Sequence, residues 1–312
     1  MLKAGLVALG LAVVLLLGEV AARVTWWWRY GTPITASIRS LHRGDRLLGW
    51  EGRRVFGDPE SPRPKVLIVG DSVTDGLGVP PDQMYYARLG QRLGVEIFAY
   101  GGAGYGTLQE LMVVEQELPG VRPHLVVLQT SSNDVINNSW GLESTSHHNN
   151  NLAVRPYLVG ERIVYRFPSR LGNYSALLAH SRLAYAIAHD TARLGSQFAA
   201  LGLLWTSENR LGDGVADPVF EAALATTDRL VARLKSRVEP LPLIAFAADE
   251  APYFRTIFAR RGVPYLETVP RRIAEAEAQG RRVKFDGWHW NAEGQEIAAA
   301  ALADALRPYL PL

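Results

Sequence analysis

Cysteine is missing from all 312 residues. Its absence excludes disulfides, thiolate metal ligation, a cysteine nucleophile and a lipid-modified cysteine, and it leaves the redox compartment open. A surplus of one charge is missing too. Lys plus Arg number 33 and Asp plus Glu 31, a formal charge of +2, so electrostatics point to no nucleic-acid partner. Internal repeats are absent, and the asparagine-rich "NNSWGLESTSHHNNN" is the nearest approach to low complexity. Its His147 and His148 are adjacent, not i, i+4, and lack a carboxylate pair, so they read as a polar loop and not as a metal site. The run "GGAGYG" follows a second strand with no acidic ribose partner placed for it, which argues against a dinucleotide. No metal and no cofactor are expected.

What is present is ordinary globular material, 48% hydrophobic and 21% charged. It is preceded by one long apolar run. Residues 1–29 open with Lys3, run apolar from Ala4 to Gly18, meet Glu19 and resume to Trp26, Trp27 and Trp28 before Arg29. An uncleaved membrane anchor fits, with the tryptophans in the interfacial belt. A secretory signal cleaved near Val20-Ala21-Ala22 also fits, as does a buried or amphipathic soluble helix. The tryptophans favour the anchor, since a tryptophan cluster just past a cleavage site has no evident use. Anchor or signal, the rest of the chain would lie across the membrane, periplasmic or extracellular.

Residues 30–64, rich in Arg, Gly and Pro, read as a linker with at most one short element. From residue 65 the pattern alternates. Strands are expected at 66–69, 95–99, 125–129, 243–247 and 264–267, and helices at 84–93, 108–118, 181–203, 220–238, 254–261 and 291–306. Continuous apolar strands between helices predict an α/β domain over 65–312, with a parallel sheet covered on both faces. The alternation breaks over 135–175, read as an insertion whose "RPYLVGERIVYRFP" forms a hairpin around Gly160.

Reactive groups in such a sheet collect outside the carboxyl ends of the strands. The first three strands deliver "GDSVTDG", "YGGAGYGT" and "TSSND" there, and "FDGWHWNAEG" precedes the last helix. A serine hydroxyl becomes a nucleophile when a carboxylate-oriented histidine takes its proton. Ser72, His289 and Asp286 supply those roles. Gly104, Asn133 and the Ser72 N–H are suitable donors for an oxyanion. Each residue also has a plain structural use: Ser72 as a helix cap, Asp286 and His289 as a cap and a surface histidine, Gly104 and Asn133 as turn residues. Asn291 reads as the cap of the last helix and Asp134 as an acceptor for loop N–H groups. Trp288 and Trp290 flank the base as pocket lining or as packing.

Four blocks, "GDSVTDG" at 70–76, "GGAGYG" at 101–106, "SSND" at 131–134 and "DGWH" at 286–289, resemble those of the SGNH or GDSL hydrolase superfamily, in the family's order. The resemblance covers 66 to about 306 and implies a flavodoxin-like three-layer α/β/α fold. It implies Ser72 as nucleophile, His289 as base, Asp286 as its orienter, and Ser72, Gly104 and Asn133 as the oxyanion hole. Ser131 stands where the family has glycine, and Ala99 where it often has asparagine.

The expected activity is a serine esterase acting on a small-molecule or glycan ester through an acyl-enzyme. Two alternatives accompany it: an O-acyltransferase acting on an envelope polysaccharide, and a non-catalytic glycan-binding domain. Acyl specificity and oligomeric state are not legible.

Overall fold

A computed structural model describes residues 2–30, 34–35, 53–76, 78–146, 154–166 and 217–311, and within 181–207 only residues 181–184, 186–187, 198 and 207. His147, His148 and most of the helix expected over 181–203 lie outside the described residues.

Six strands form one sheet: β1 (Arg53–Val55), β2 (Lys65–Gly70), β3 (Glu96–Gly101), β4 (Leu125–Thr130), β7 (Leu243–Ala247) and β8 (Tyr265–Leu266). Their order is β1-β3-β2-β4-β7-β8, parallel throughout except for β1 at the edge. The parallel strands thus follow the 2-1-3-4-5 order of a flavodoxin-like sheet, whose order reverses between β2 and β4. β1 falls within the stretch read as linker. It runs antiparallel with Arg53 opposite Gly101, so the chain arriving from the N-terminus meets the sheet at its carboxyl edge.

Both faces are covered because the strand residues are apolar on both. Along β2, Leu67 and Val69 face one core with Leu111, Leu230 and Phe254, from α4 (Thr107–Val121), α7 (Pro218–Val238) and α8 (Pro252–Arg261). Val66 and Ile68 face the other with Tyr85, Ile273 and Leu302, from α3 (Tyr85–Leu93), α9 (Thr268–Ala278) and α10 (Ala292–Leu306). All four of these strand residues are essentially inaccessible. Burying each contributes about 2 kcal/mol. This is the three-layer α/β/α architecture expected.

Three differences stand out. Residues 268–278 form α9, a helix the sequence reading passed over. Pro270 masks it, although at the third helical position proline's missing N–H leaves no bond unmade. The stretch after β4 is not turn throughout: it begins with two single helical turns, α5 (Asp134–Asn137) and α6 (Trp140–Glu143), the second capped by Ser139. The strands β2, β3 and β4 end one or two residues beyond the expected bounds, because Gly70, Tyr100, Gly101 and Thr130 keep their ladder positions, whereas β7 matches and β8 is shorter by one residue at each end.

The expected hairpin is β5 (Arg155–Val159) and β6 (Arg162–Arg166), in antiparallel register around Gly160. A buried ionic group holds it to the domain. Arg155 Nη1 donates to Glu143 Oε1 at 3.0 Å, its second amino group donates to Gln109, and Tyr157 Oη donates to Glu143 Oε2 at 2.7 Å.

The N-terminal helix α1 (Leu2–Tyr30) is long and apolar enough over Lys3–Thr25 to cross a membrane, with mean hydropathy 2.3 across its core window. Twenty-three residues at 1.5 Å rise span about 34 Å, against a hydrocarbon core of about 30 Å. Glu19 is engaged near the end of this span. It accepts from Arg23 Nε, Ser181 Oγ and the N–H groups of Arg182 and Leu183, at 2.7 to 2.9 Å.

The buried pair yields a prediction. Glu143→Ala leaves the Arg155 guanidinium inaccessible without its carboxylate, and should cost about 3 kcal/mol in urea unfolding. Glu143→Gln, which keeps acceptor and shape, should cost less.

Candidate active site

The topology puts the blocks together. Ser72 follows β2 and Asn133 follows β4, the two strands flanking the point where strand order reverses. Gly104 lies on the turn after β3, with φ of +73°, a conformation that favours glycine. Asp286 and His289 lie just before α10, which packs on α3, the helix following the Ser72 turn. Tyr85 N–H at the start of α3 donates to Gln295 of α10 at 2.9 Å, and Arg88 pairs with Glu296 at 2.6 Å.

The result is a relay spanning 217 residues of sequence. His289 Nε2 lies 2.9 Å from Ser72 Oγ, and His289 Nδ1 lies 2.5 Å from Asp286 Oδ2. Asp286 Oδ1 also accepts the N–H groups of Trp288 (3.0 Å) and His289 (2.7 Å). Partial burial pushes the Asp286 carboxyl up, but these N–H donors and the His289 ring outweigh it and bring it down to about 2. An ionised carboxylate can only accept, so the Nδ1 proton faces Asp286 and Nε2 is left to accept from Ser72.

Ser72 is not the cap of its helix. Asp71 caps α2 (Ser72–Asp75), its Oδ1 accepting from Val73 N–H at 2.9 Å. The serine hydroxyl is thereby left to His289, and as the first helical residue Ser72 has an N–H with no intrahelical acceptor.

The turn is bolted to the sheet by the Gln129 side chain. Gln129 Oε1 accepts from Asp71 N, Thr74 N and Thr74 Oγ1, at 2.9 to 3.2 Å, while Nε2 donates to Ser131 Oγ at 3.0 Å. Glycine at 70 makes room for this, since a Cβ there would sit 2.4 Å from both Gln129 Oε1 and Thr74 Oγ1. At Gly101 a Cβ would stand 2.1 Å from Asp75 N.

The proposed oxyanion donors are placed less directly. Asn133 Nδ2 donates to Asn137 Oδ1 at 2.9 Å, which uses one of its two amide hydrogens. Asp134 Oδ2 accepts Ser131 N–H at 3.2 Å. The two flanking tryptophans part company: Trp290 is buried edge-on against Tyr85, whereas Trp288 is 68% exposed. Phe285, 51% exposed, stacks on the His289 ring at 5.6 Å. Among the described residues no group of three or more His, Asp or Glu side chains could hold a metal.

Several site residues escaped the sequence reading. Gln129, Thr74 and Tyr85 are buried and carry no reactive signature. Asp249 follows β7 and holds the loop before Asn133. Searching the carboxyl end of that strand as the other strand ends were searched would have found it.

Beneath the site lie Asp71, Glu110 and Asp134, all buried. Asp71 Oδ2, Asp134 Oδ1 and both Glu110 carboxyl oxygens have no hydrogen-bond partner among the described residues. Burial first, then the neighbouring acids, push Glu110 and Asp134 well above the ordinary carboxylate range.

No protein-family model and no curated protein matches the chain. Solved structures that overlap it include a lipase/acylhydrolase from Enterococcus faecalis (11% identity, 79% of this chain and 97% of that one, TM-score 0.44). TesA overlaps at 14% identity over 79% of this chain and 99% of that one, with a TM-score of 0.43. A catalytic mutant of an acetylxylan esterase from Geobacillus stearothermophilus does so at 14% identity, over 80% and 94%, with a TM-score of 0.40. Overlaps at these scores assign no activity to this chain.

The buried acids generate a stability prediction. Glu110 keeps its proton in the folded state above the value of 4.5 at which the unfolded chain sheds it. Its contribution is therefore fully present below that value and is lost as pH rises toward the folded value. Glu110→Gln should melt above the wild type at about pH 8, with the two curves converging below about pH 4. The four blocks in which the sequence resembles the SGNH/GDSL hydrolases stand, in the structure, toward the carboxyl edge of a flavodoxin-like sheet.

Proposed function

We propose that the protein is a serine esterase that cleaves a carboxylic ester through an acyl-enzyme. The observation that carries this reading is the continuous contact Ser72 Oγ to His289 to Asp286, at 2.9 and 2.5 Å. Ser72 Oγ attacks the ester carbonyl carbon as its proton passes to His289 Nε2. The tetrahedral oxyanion is met by the Ser72 N–H, Gly104 N–H and the remaining Asn133 amide hydrogen. Collapse expels the alcohol, which takes the proton from His289, and leaves the acyl group on Ser72. Water then attacks, gives its proton to His289, and the acid departs as Ser72 regains its hydrogen.

Two features support substrate contact at this edge. The exposed Trp288 and Phe285 rings flank the base on a loop whose ends are joined by the Lys284–Trp290 bridge and by Phe285 N–H to His289 O. Large apolar rings held at the surface by a rigid loop offer stacking area at low entropic cost. A small-molecule or glycan ester fits such a rim. The membrane reading rests on α1, taken as an uncleaved anchor with the catalytic domain outside the cytoplasm. Cleavage after Ala22 would remove Glu19 and leave the donors of Ser181, Arg182 and Leu183 without it.

Transfer to a sugar hydroxyl in place of water is the alternative fate of the same acyl-enzyme. Incubation with an activated acetyl ester and candidate polysaccharides separates the two: free acid outpacing acyl-glycan supports hydrolysis. The core assignment is tested by fluorophosphonate labelling and ester turnover. Ser72→Ala should lose both with an unchanged melting temperature. Asp286→Asn should lower kcat by about 10^4, because it allows the wrong histidine tautomer. Wild-type rates in Ser72→Ala would refute the assignment.

A further inference from the structure

We propose that Asp249 is a positioning residue for the oxyanion donor Asn133, acting through a clamp on Ser132. The proposal rests on the esterase reading above, in which Asn133 faces the developing oxyanion.

All three polar groups of Ser132 are taken up from one side. Its N–H donates to Asp249 Oδ1 at 2.8 Å, its hydroxyl to Asp249 Oδ2 at 2.5 Å, and its carbonyl accepts from Tyr253 Oη at 2.6 Å. Asp249 follows β7, whose ladder with β4 continues past the strand end as Ala248 N–H bonds to Thr130 O at 2.8 Å. Tyr253 stands at the start of α8, on the same connection. The clamp therefore comes from the neighbouring strand end and helix, 117 and 121 residues away in sequence, and not from the loop itself.

Asp249 touches neither Ser72 nor His289 by any hydrogen bond among the described residues, and each of its carboxyl oxygens accepts from Ser132. The position clamped matters because Asn133 comes next. Its amide is turned by Asn137 at 2.9 Å, so the side chain is set by one contact and the backbone beneath it by another. In the third block the first glycine of the family is replaced by Ser131, whose hydroxyl accepts from Gln129. The loop is thus held by side-chain bonds on two consecutive serines. An oxyanion donor contributes to rate only if its place is fixed before the charge develops.

The test measures kcat and KM for p-nitrophenyl acetate, and affinity for a trifluoromethyl ketone that forms a tetrahedral adduct with the serine. The full chain is used, as wild type, Asp249→Ala, Asp249→Asn and Ser132→Ala, each with a melting curve. Asp249→Ala should lower kcat about 50-fold with KM within about twofold, since the loss falls on the transition state alone. Ketone affinity should fall in parallel. Asp249→Asn, which keeps one acceptor, should recover part of the loss and guards against an alanine variant that fails to fold. Ser132→Ala combined with Asp249→Asn should lose less than the product of the single losses, as members of one clamp do. Wild-type kcat in folded Asp249→Ala and Asp249→Asn, or a loss confined to KM, overturns the proposal while wild-type labelling leaves the esterase reading standing. A wild-type protein that neither labels with fluorophosphonate nor turns over ester overturns both.

Discussion

The candidate site depends on one buried amide. Gln129 lies at the end of β4, inaccessible to solvent, and its two ends do different work. The oxygen collects the N–H groups of Asp71 and Thr74 and the Thr74 hydroxyl, while the nitrogen reaches Ser131. Two loops from adjacent strands, one bearing Ser72 and the other Asn133, are thereby referenced to a single side chain. Thr74 passes the constraint on to Tyr85 at 2.8 Å, and Tyr85 to Gln295 through its backbone N–H, which reaches the helix behind His289. A neutral amide suits this position because it both accepts and donates without carrying a charge into the core.

The surroundings of that amide carry considerable cost. Three carboxyl groups are buried together beneath the site, and among the described residues some of their oxygens lack donors and no basic side chain is hydrogen-bonded to them. Neutralisation resolves part of the conflict, which is why Glu110 and Asp134 hold their protons well beyond the usual range. Asp286 lies at the opposite extreme, ionised down to about pH 2 by its N–H donors. The contrast between neutral acids below and an anion at the rim is set by exposure and by donor supply. Both extremes come from the same residue chemistry in different surroundings.

Much of this was legible in the sequence. Continuous apolar runs such as Val66–Val69 identified buried parallel strands, and the carboxyl-edge rule directed attention to Ser72, Gly104, Asn133, Asp286 and His289. The hairpin around Gly160 could be read because its alternation and turn are local. Gln129 could not be read from local pattern, since its importance lies in pairings 55 to 58 residues away, whereas Asp249 stood at a strand end that the reading passed over, with its partner 117 residues off. The α9 helix was hidden by a proline that is harmless only at the first turn. Trp288 and Trp290 show the same limit at closer range: two residues apart, Trp290, at the Lys284–Trp290 bridge, is core and Trp288 is surface.

The direction of β1 has a consequence for reach. Because Arg53 pairs opposite Gly101, the chain from α1 joins the sheet at the edge that bears the Ser72 and Gly104 turns and not at the far one. Twenty-two residues, 31 to 52, separate the helix from that strand, an extended length of at most roughly 75 Å. Were α1 embedded in a bilayer, the edge bearing Ser72 would be the leashed end, held within that length of the lipid. Altitude above the lipid would then decide, alongside side-chain chemistry, what reaches Ser72.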